Sequence, residues 1–127
     1  MQITERKVRL LQMKYLIIGA GGTGGSIGAY MTQAGKDVTL IARGEHLKRI
    51  QEQGLKMETT SKGNYTVQPI KACDMEHYEE QPDIIFVCVK GYSLEDTIPF
   101  IKRVAKESTI VIPILNIPIF ELIHCFN

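Results

Sequence analysis

The chain has 127 residues, 44% of them hydrophobic, and a formal net charge of +1, enough for one core and too short for a cofactor domain plus an independent substrate domain. No basic surplus points to nucleic acid or an anionic membrane surface, and no run approaches the roughly 18 apolar residues of a membrane span. The cysteines Cys73, Cys88 and Cys125 are odd in number and include no C-x-x-C pair, which suits a reducing cytoplasm better than a disulfide framework.

Residues 1–12 carry charge without an apolar core of signal-peptide length and read as an extension ahead of Met13. Tyr15, Leu16, Ile17 and Ile18 predict the first strand, and Gly19-Ala20-Gly21-Gly22-Thr23-Gly24 follows it directly, ahead of a helix over about 23–33. Glycines spaced G-x-G-x-x-G between a strand and a helix form the dinucleotide fingerprint. Each glycine has a steric reason. Gly19 permits the tight turn, Gly21 lets a pyrophosphate approach bare backbone, and Gly24 lets the helix pack close to the strand. Ala20, Gly22 and Thr23 complete the loop, whose amides face an anion with the positive end of the helix dipole.

The next strand, 37–42, ends at Ala42. A site that prefers NAD usually has Asp or Glu there to hold the adenosine ribose hydroxyls; here Arg43 and Gly44 come next. A carboxylate would repel a 2'-phosphate, whereas a planar guanidinium holds one with paired hydrogen bonds, so the residues favour NADP(H). Glu45 is the competing candidate, as one residue of strand offset brings it to the ribose; an exposed charge leading into a helix is the plainer account of Arg43. Helix 45–53, with Leu47 and Ile50 on one face, stops at Gly54. Residues 55–60 and 65–70 alternate around the glycine-containing loop 61–64, which signals a hairpin. Residues 73–81 read as a polar loop.

Residues 83–89 are nearly continuously apolar, as an interior parallel strand should be, and make Cys88 a small buried hydrophobe rather than a reactive thiol. Helix 93–106 places Leu94, Ile98, Ile101 and Ala105 at helical spacing, with Pro99 shifting its start or kinking it. Strand 109–115 contains Pro113, which argues for an edge or irregular segment. Lys90 and Asn116 stand where these two strands release the chain, the side of an open α/β sheet on which ligands bind. Lys90 suits a phosphate or substrate carboxylate, and Asn116 a nicotinamide ribose or substrate carbonyl; a surface lysine and a turn asparagine are the plainer accounts. His46, His77 and His124 show no ligand spacing with one another or with the cysteines, so no metal is expected.

This alternation defines an α/β chain with a Rossmann-like, mostly parallel open sheet and an additional β-hairpin. The ordered set GAGGTGG, LIARGEHL, DIIFVCVKGY and ILN, spread over residues 13–116, resembles the N-terminal domain of the ketopantoate reductase (2-dehydropantoate 2-reductase) family. The resemblance implies NADPH-dependent reduction of 2-dehydropantoate to pantoate, in the pathway to pantothenate and coenzyme A. It assigns phosphate binding to Gly19 through Gly24, the 2'-phosphate to Arg43, and cofactor or active-site contacts to Lys90 and Asn116.

In members of that family a helical C-terminal domain supplies the catalytic lysine and a substrate-binding carboxylate. Here Asn116 leads into an apolar tail, 117–127, so the whole chain is expected to be a single NADP-binding domain, catalytically incomplete alone. A stand-alone NADP-binding or sensing module without turnover is the alternative, and a remnant that keeps only the fold is the third possibility. Ile117, Ile119, Phe120, Leu122, Ile123 and Phe126 of the tail are expected to pack over the last strand or to join two chains as a homodimer.

Overall fold

The structure is a computed structural model that describes residues 13–88 and 94–114. Its strands are β1 (Lys14–Ile18), β2 (Asp37–Ile41), β3 (Leu55–Thr59), β4 (Gly63–Val67), β5 (Lys71–Cys73), β6 (Ile84–Val87) and β7 (Ile110–Pro113). Its helices are α1 (Gly22–Gln33), α2 (Gly44–Gln53) and α3 (Leu94–Val104). Five strands form a parallel sheet in the order β5-β2-β1-β6-β7, and β3 pairs with β4 as an antiparallel hairpin. From β1 the chain builds outward through β2 to β5, then returns to place β6 and β7 on the other side. The strand order therefore reverses between β1 and β6, and the carboxyl ends of both strands open on that switch point.

Alternation along β1 divides the core. Leu16 and Ile18 pack with Ile85, Val87 and the α3 residues Phe100, Ile101 and Val104. Ile17 faces the opposite layer with Val38, Cys88 and the α1 residues Ile27 and Met31. Ile50 of α2, Ala29 of α1 and Leu55, Met57 and Val67 of the hairpin meet Leu40 and Ala42, so α1, α2 and the hairpin lie on one side of the sheet and α3 on the other. Leu16, Ile17, Ile18, Leu40 and Ile41 are completely buried, each contributing roughly 1.5–3 kcal/mol of transfer free energy. Helix α1 comes close to the sheet because its buried side is Gly24, Gly25, Gly28 and Ala29; a Cβ at Gly28 would stand 2.8 Å from the Leu40 side chain.

The stop at Gly54 has φ 80°, a conformation that favours glycine, and its N–H donates to the Ile50 carbonyl. Pro113 lies in β7, at the end of the sheet among the described residues, where a missing donor costs no ladder bond. Pro99 sits inside α3 on its exposed side. The hairpin forms at 55–59 and 63–67, so its second strand starts and ends earlier than the predicted 65–70. Thr59 sets that register: its hydroxyl donates to the Gly63 carbonyl at 2.9 Å and accepts the Lys62 N–H at 3.0 Å.

The predicted polar loop 73–81 needs correction at its start, because Cys73 ends β5, in register with Ile41. The segment that follows is anchored by Tyr78, which is buried edge-on against Phe100 with ring centroids 6.1 Å apart. Residues 1–12, Cys125 and the tail 117–127 lie outside the described residues, as does the tail's predicted packing or dimer contact.

Candidate functional site

The glycine loop leaves the buried end of β1 and turns at once into α1. Gly19 has φ 99°, a left-handed conformation that an L side chain resists. Its N–H donates to the Ile41 carbonyl at 3.2 Å, which ties the turn to the end of β2. On the other side, the Cys88 N–H donates to the Ile18 carbonyl at 2.8 Å. The loop is thus held between the carboxyl ends of β2 and β6.

Its three fingerprint glycines meet different surroundings. A Cβ at Gly24 would run into the Gly19 carbonyl oxygen and stand 3.1 Å from the Cys88 Cβ, so this glycine sets the close helix–strand approach. Cβ atoms at Gly21 and Gly22 would meet nothing within 4 Å, so the outer face of the loop is open. Gly21 caps α1 from extended backbone with no side-chain hydrogen bond, and the first intrahelical bond runs from the Gly25 N–H to its carbonyl at 2.7 Å. The N–H groups of Gly22, Thr23 and Gly24 precede that bond and have no carbonyl within the helix to accept them. Helix α2 carries Glu45 in its first turn and α3 carries Glu95 and Asp96, whereas α1 carries no acidic residue there. The positive end of the α1 dipole is therefore left for an anion from outside the helix.

Ala42, buried, continues β2 and donates its N–H to the Cys73 carbonyl at 3.1 Å. Arg43 follows as the extended N-cap of α2 and is exposed. It stands two residues past Ile41, whose carbonyl holds Gly19, so a short stretch of backbone brings the loop and residue Arg43 to the same end of the sheet. Glu45 is exposed two residues further on, in the first turn of α2.

His46, to which the sequence reading assigned nothing, places Nε2 3.0 Å from the Ala20 carbonyl oxygen. With Ala20, Gly21, Gly22 and Ser26 it lines one side of a cleft of about 330 Å³, whose other side is the hairpin residues Leu55, Lys56, Met57 and Glu58. The only sequence signal for His46 was its place three residues after Arg43; its partner is a backbone carbonyl, which residue patterns do not reveal.

Cys88 is buried beside the loop, and burial pushes its thiol pKa up, away from the reactive thiolate. His77 is exposed in the segment after β5 and pairs with Asp74, which raises the imidazole pKa and lowers that of the carboxyl. Among the described residues no three His, Cys, Asp or Glu side chains cluster to hold a metal, and no helix is long and apolar enough to cross a membrane. Lys90 and Asn116 lie outside the described residues.

A parallel sheet with a switch point, a glycine loop entering a helix there, and an uncompensated helix N-terminus together define a Rossmann-like domain. The profile described as ketopantoate reductase PanE/ApbA matches residues 15–116, and the chain belongs to that family. It is 34% identical over 106 residues to the uncharacterized oxidoreductase YkpB of Bacillus subtilis, covering 82% of this chain and 33% of that protein. It is 33% identical over 99 residues to the 2-dehydropantoate 2-reductase of Pyrococcus abyssi, covering 78% of this chain and 32% of that one. A solved ternary structure of D-mandelate dehydrogenase with NADH and anilino(oxo)acetate aligns over 90% of this chain and 37% of its own, with a TM-score of 0.78 at 31% identity. The chain spans about a third of the length of the curated relatives it matches.

Proposed function

We propose that the 127 residues are the NADP(H)-binding domain of an oxidoreductase that reduces 2-dehydropantoate to pantoate, on the cytoplasmic route to pantothenate and coenzyme A. The observation that carries the reading is the pairing of an open glycine loop with Ala42 and Arg43 at the same end of the sheet, where an acid would serve NAD. In this proposal the backbone amides at Gly21, Gly22 and Thr23 hold the pyrophosphate, with Gly19, Ala20 and Gly24 shaping the turn. Arg43 grips the 2'-phosphate as a two-pronged donor. Lys90 and Asn116, which follow β6 and β7 in the sequence, contact the cofactor or the substrate.

The bound nicotinamide supplies the hydride for a 2-oxo acid. Protonation of the resulting alkoxide and charge pairing with the substrate carboxylate are assigned to groups outside the matched span, and cofactor binding to the residues within it. The D-mandelate dehydrogenase neighbour is bound to NADH, so the preference for a 2'-phosphate is assigned to Arg43 in this chain rather than carried over from that relative.

Titration with NADPH, followed by cofactor fluorescence, tests the reading. Saturable binding is expected, and its absence would leave only a fold remnant. A turnover assay with 2-dehydropantoate and NADPH then separates an active reductase from a binding domain or a sensing module.

A further inference from the structure

His46 lies in the first turn of α2 and reaches back across 26 residues of sequence to the glycine loop. A carbonyl oxygen only accepts, so the ring nitrogen 3.0 Å from Ala20 carries the proton, and in the neutral ring Nδ1 is left as an acceptor. Ala20 is buried. Its oxygen would stand 2.9 Å from a Cβ at Gly25, so the carbonyl is turned towards the start of α1 and receives the imidazole there.

Across a trans peptide the carbonyl and the following N–H point to opposite sides. Holding the Ala20 carbonyl therefore also fixes the direction of the Gly21 N–H, away from His46. Nothing stands within 4 Å of the Cβ position at Gly21, so no packing on that face restrains the residue, and glycine itself tolerates many backbone conformations.

We infer that His46 is a positioning residue whose Nε2–H bond to the Ala20 carbonyl orients the Ala20–Gly21 peptide and so presents the Gly21 amide to the pyrophosphate of a dinucleotide. The inference rests on the dinucleotide reading of the loop. It gives α2 two tasks at one end, with Arg43 facing the ligand's 2'-phosphate and His46 setting the loop behind its pyrophosphate.

The test uses the intact chain with three replacements: His46→Phe keeps a ring without a donor, His46→Ala is a smaller donor-free variant, and His46→Gln keeps an N–H donor. Two signals are read. One is the ligand-free NMR resonances of the Ala20 carbonyl and the Gly21 amide; the other is NADPH affinity by fluorescence. Loss of the donor should shift both resonances and weaken NADPH roughly tenfold, whereas His46→Gln should restore the resonances and stay within about threefold of the parent. Unmoved resonances in the donor-free variants, parent-like affinity in them, or an equal loss in His46→Gln would each overturn the positioning role. A parent chain that binds neither NADPH nor NADH would overturn the functional reading instead, and the ligand-free resonances would still decide whether His46 sets the peptide.

Discussion

The two ends of the parallel sheet are built in opposite ways. At the amino end, Asp83 accepts the Lys14 N–H at 2.8 Å with one carboxylate oxygen and the Lys106 ammonium at 2.7 Å with the other. Its backbone N–H donates to the Lys14 carbonyl and its carbonyl accepts the Ile110 N–H, which joins β1, β6 and β7 at their starts. Thr109 donates to the Pro82 carbonyl beside it, and Lys71 pairs with Asp37 at 2.6 Å across β5 and β2. At the carboxyl end the ladder stops at Gly19, Ala42, Cys88 and Ile114. Beyond it come an open glycine loop and a helix start without an acid. Charges at one end are neutralised within the chain, while the other end keeps amides and a positive dipole for a partner. Stabilising contacts and the proposed binding groups therefore sit at different positions along the same strands.

The sharpest way to break this comparison is Gly24→Val, which puts carbon against the Gly19 carbonyl and the Cys88 side chain. It should destabilise the fold by about 3 kcal/mol, read from denaturant unfolding. Gly21→Val meets no neighbour and sits in extended backbone that valine adopts readily. Stability should hold within about 1 kcal/mol while dinucleotide affinity falls roughly thirtyfold. If the two valines behaved alike, the division of labour among the glycines would be wrong.

At the amino end, Asp83→Ala should cost about 1 kcal/mol, because the Lys14 N–H and Lys106 ammonium lose a partner that is itself partly exposed. Dinucleotide affinity should not change, since the carboxylate stands at the opposite end from the loop. The smallest effect is in pH. The hydrogen bond from Lys106, then that from Lys14, holds the Asp83 carboxyl below the usual carboxylate range. A carboxyl depressed in the folded state contributes stability above its unfolded pKa and loses it as pH falls through the folded value. The stability gap between the parent and Asp83→Asn should be open at neutral pH and close as pH falls below the ordinary carboxylate range and through the depressed folded value; a gap that widened in acid would contradict the pairing.

The open end was more legible in the sequence than the closed one. Gly19 and Gly24 were readable because a strand–turn–helix fixes where each lacks a Cβ, and Gly54 and Pro113 because a positive-φ cap and an edge strand impose local rules. Strand β5 was not: Lys71, Ala72 and Cys73 are too few to show alternation, and their strand character comes from register against Thr39, Leu40 and Ile41. The clasp at Asp83 was missed because it joins residues 69 apart, Lys14 and Asp83, through backbone. His46 escaped for the same reason, since its partner is the Ala20 carbonyl.

The central claim, that the carboxyl end is a dinucleotide site selective for a 2'-phosphate, is tested most directly by titrating the parent and Arg43→Ala with NADPH and with NADH. The parent should bind NADPH more tightly by about 1.5–3 kcal/mol, and Arg43→Ala should lose most of that margin while keeping its affinity for NADH. Equal affinity of the parent for the two cofactors, or no saturable binding of either, would contradict it.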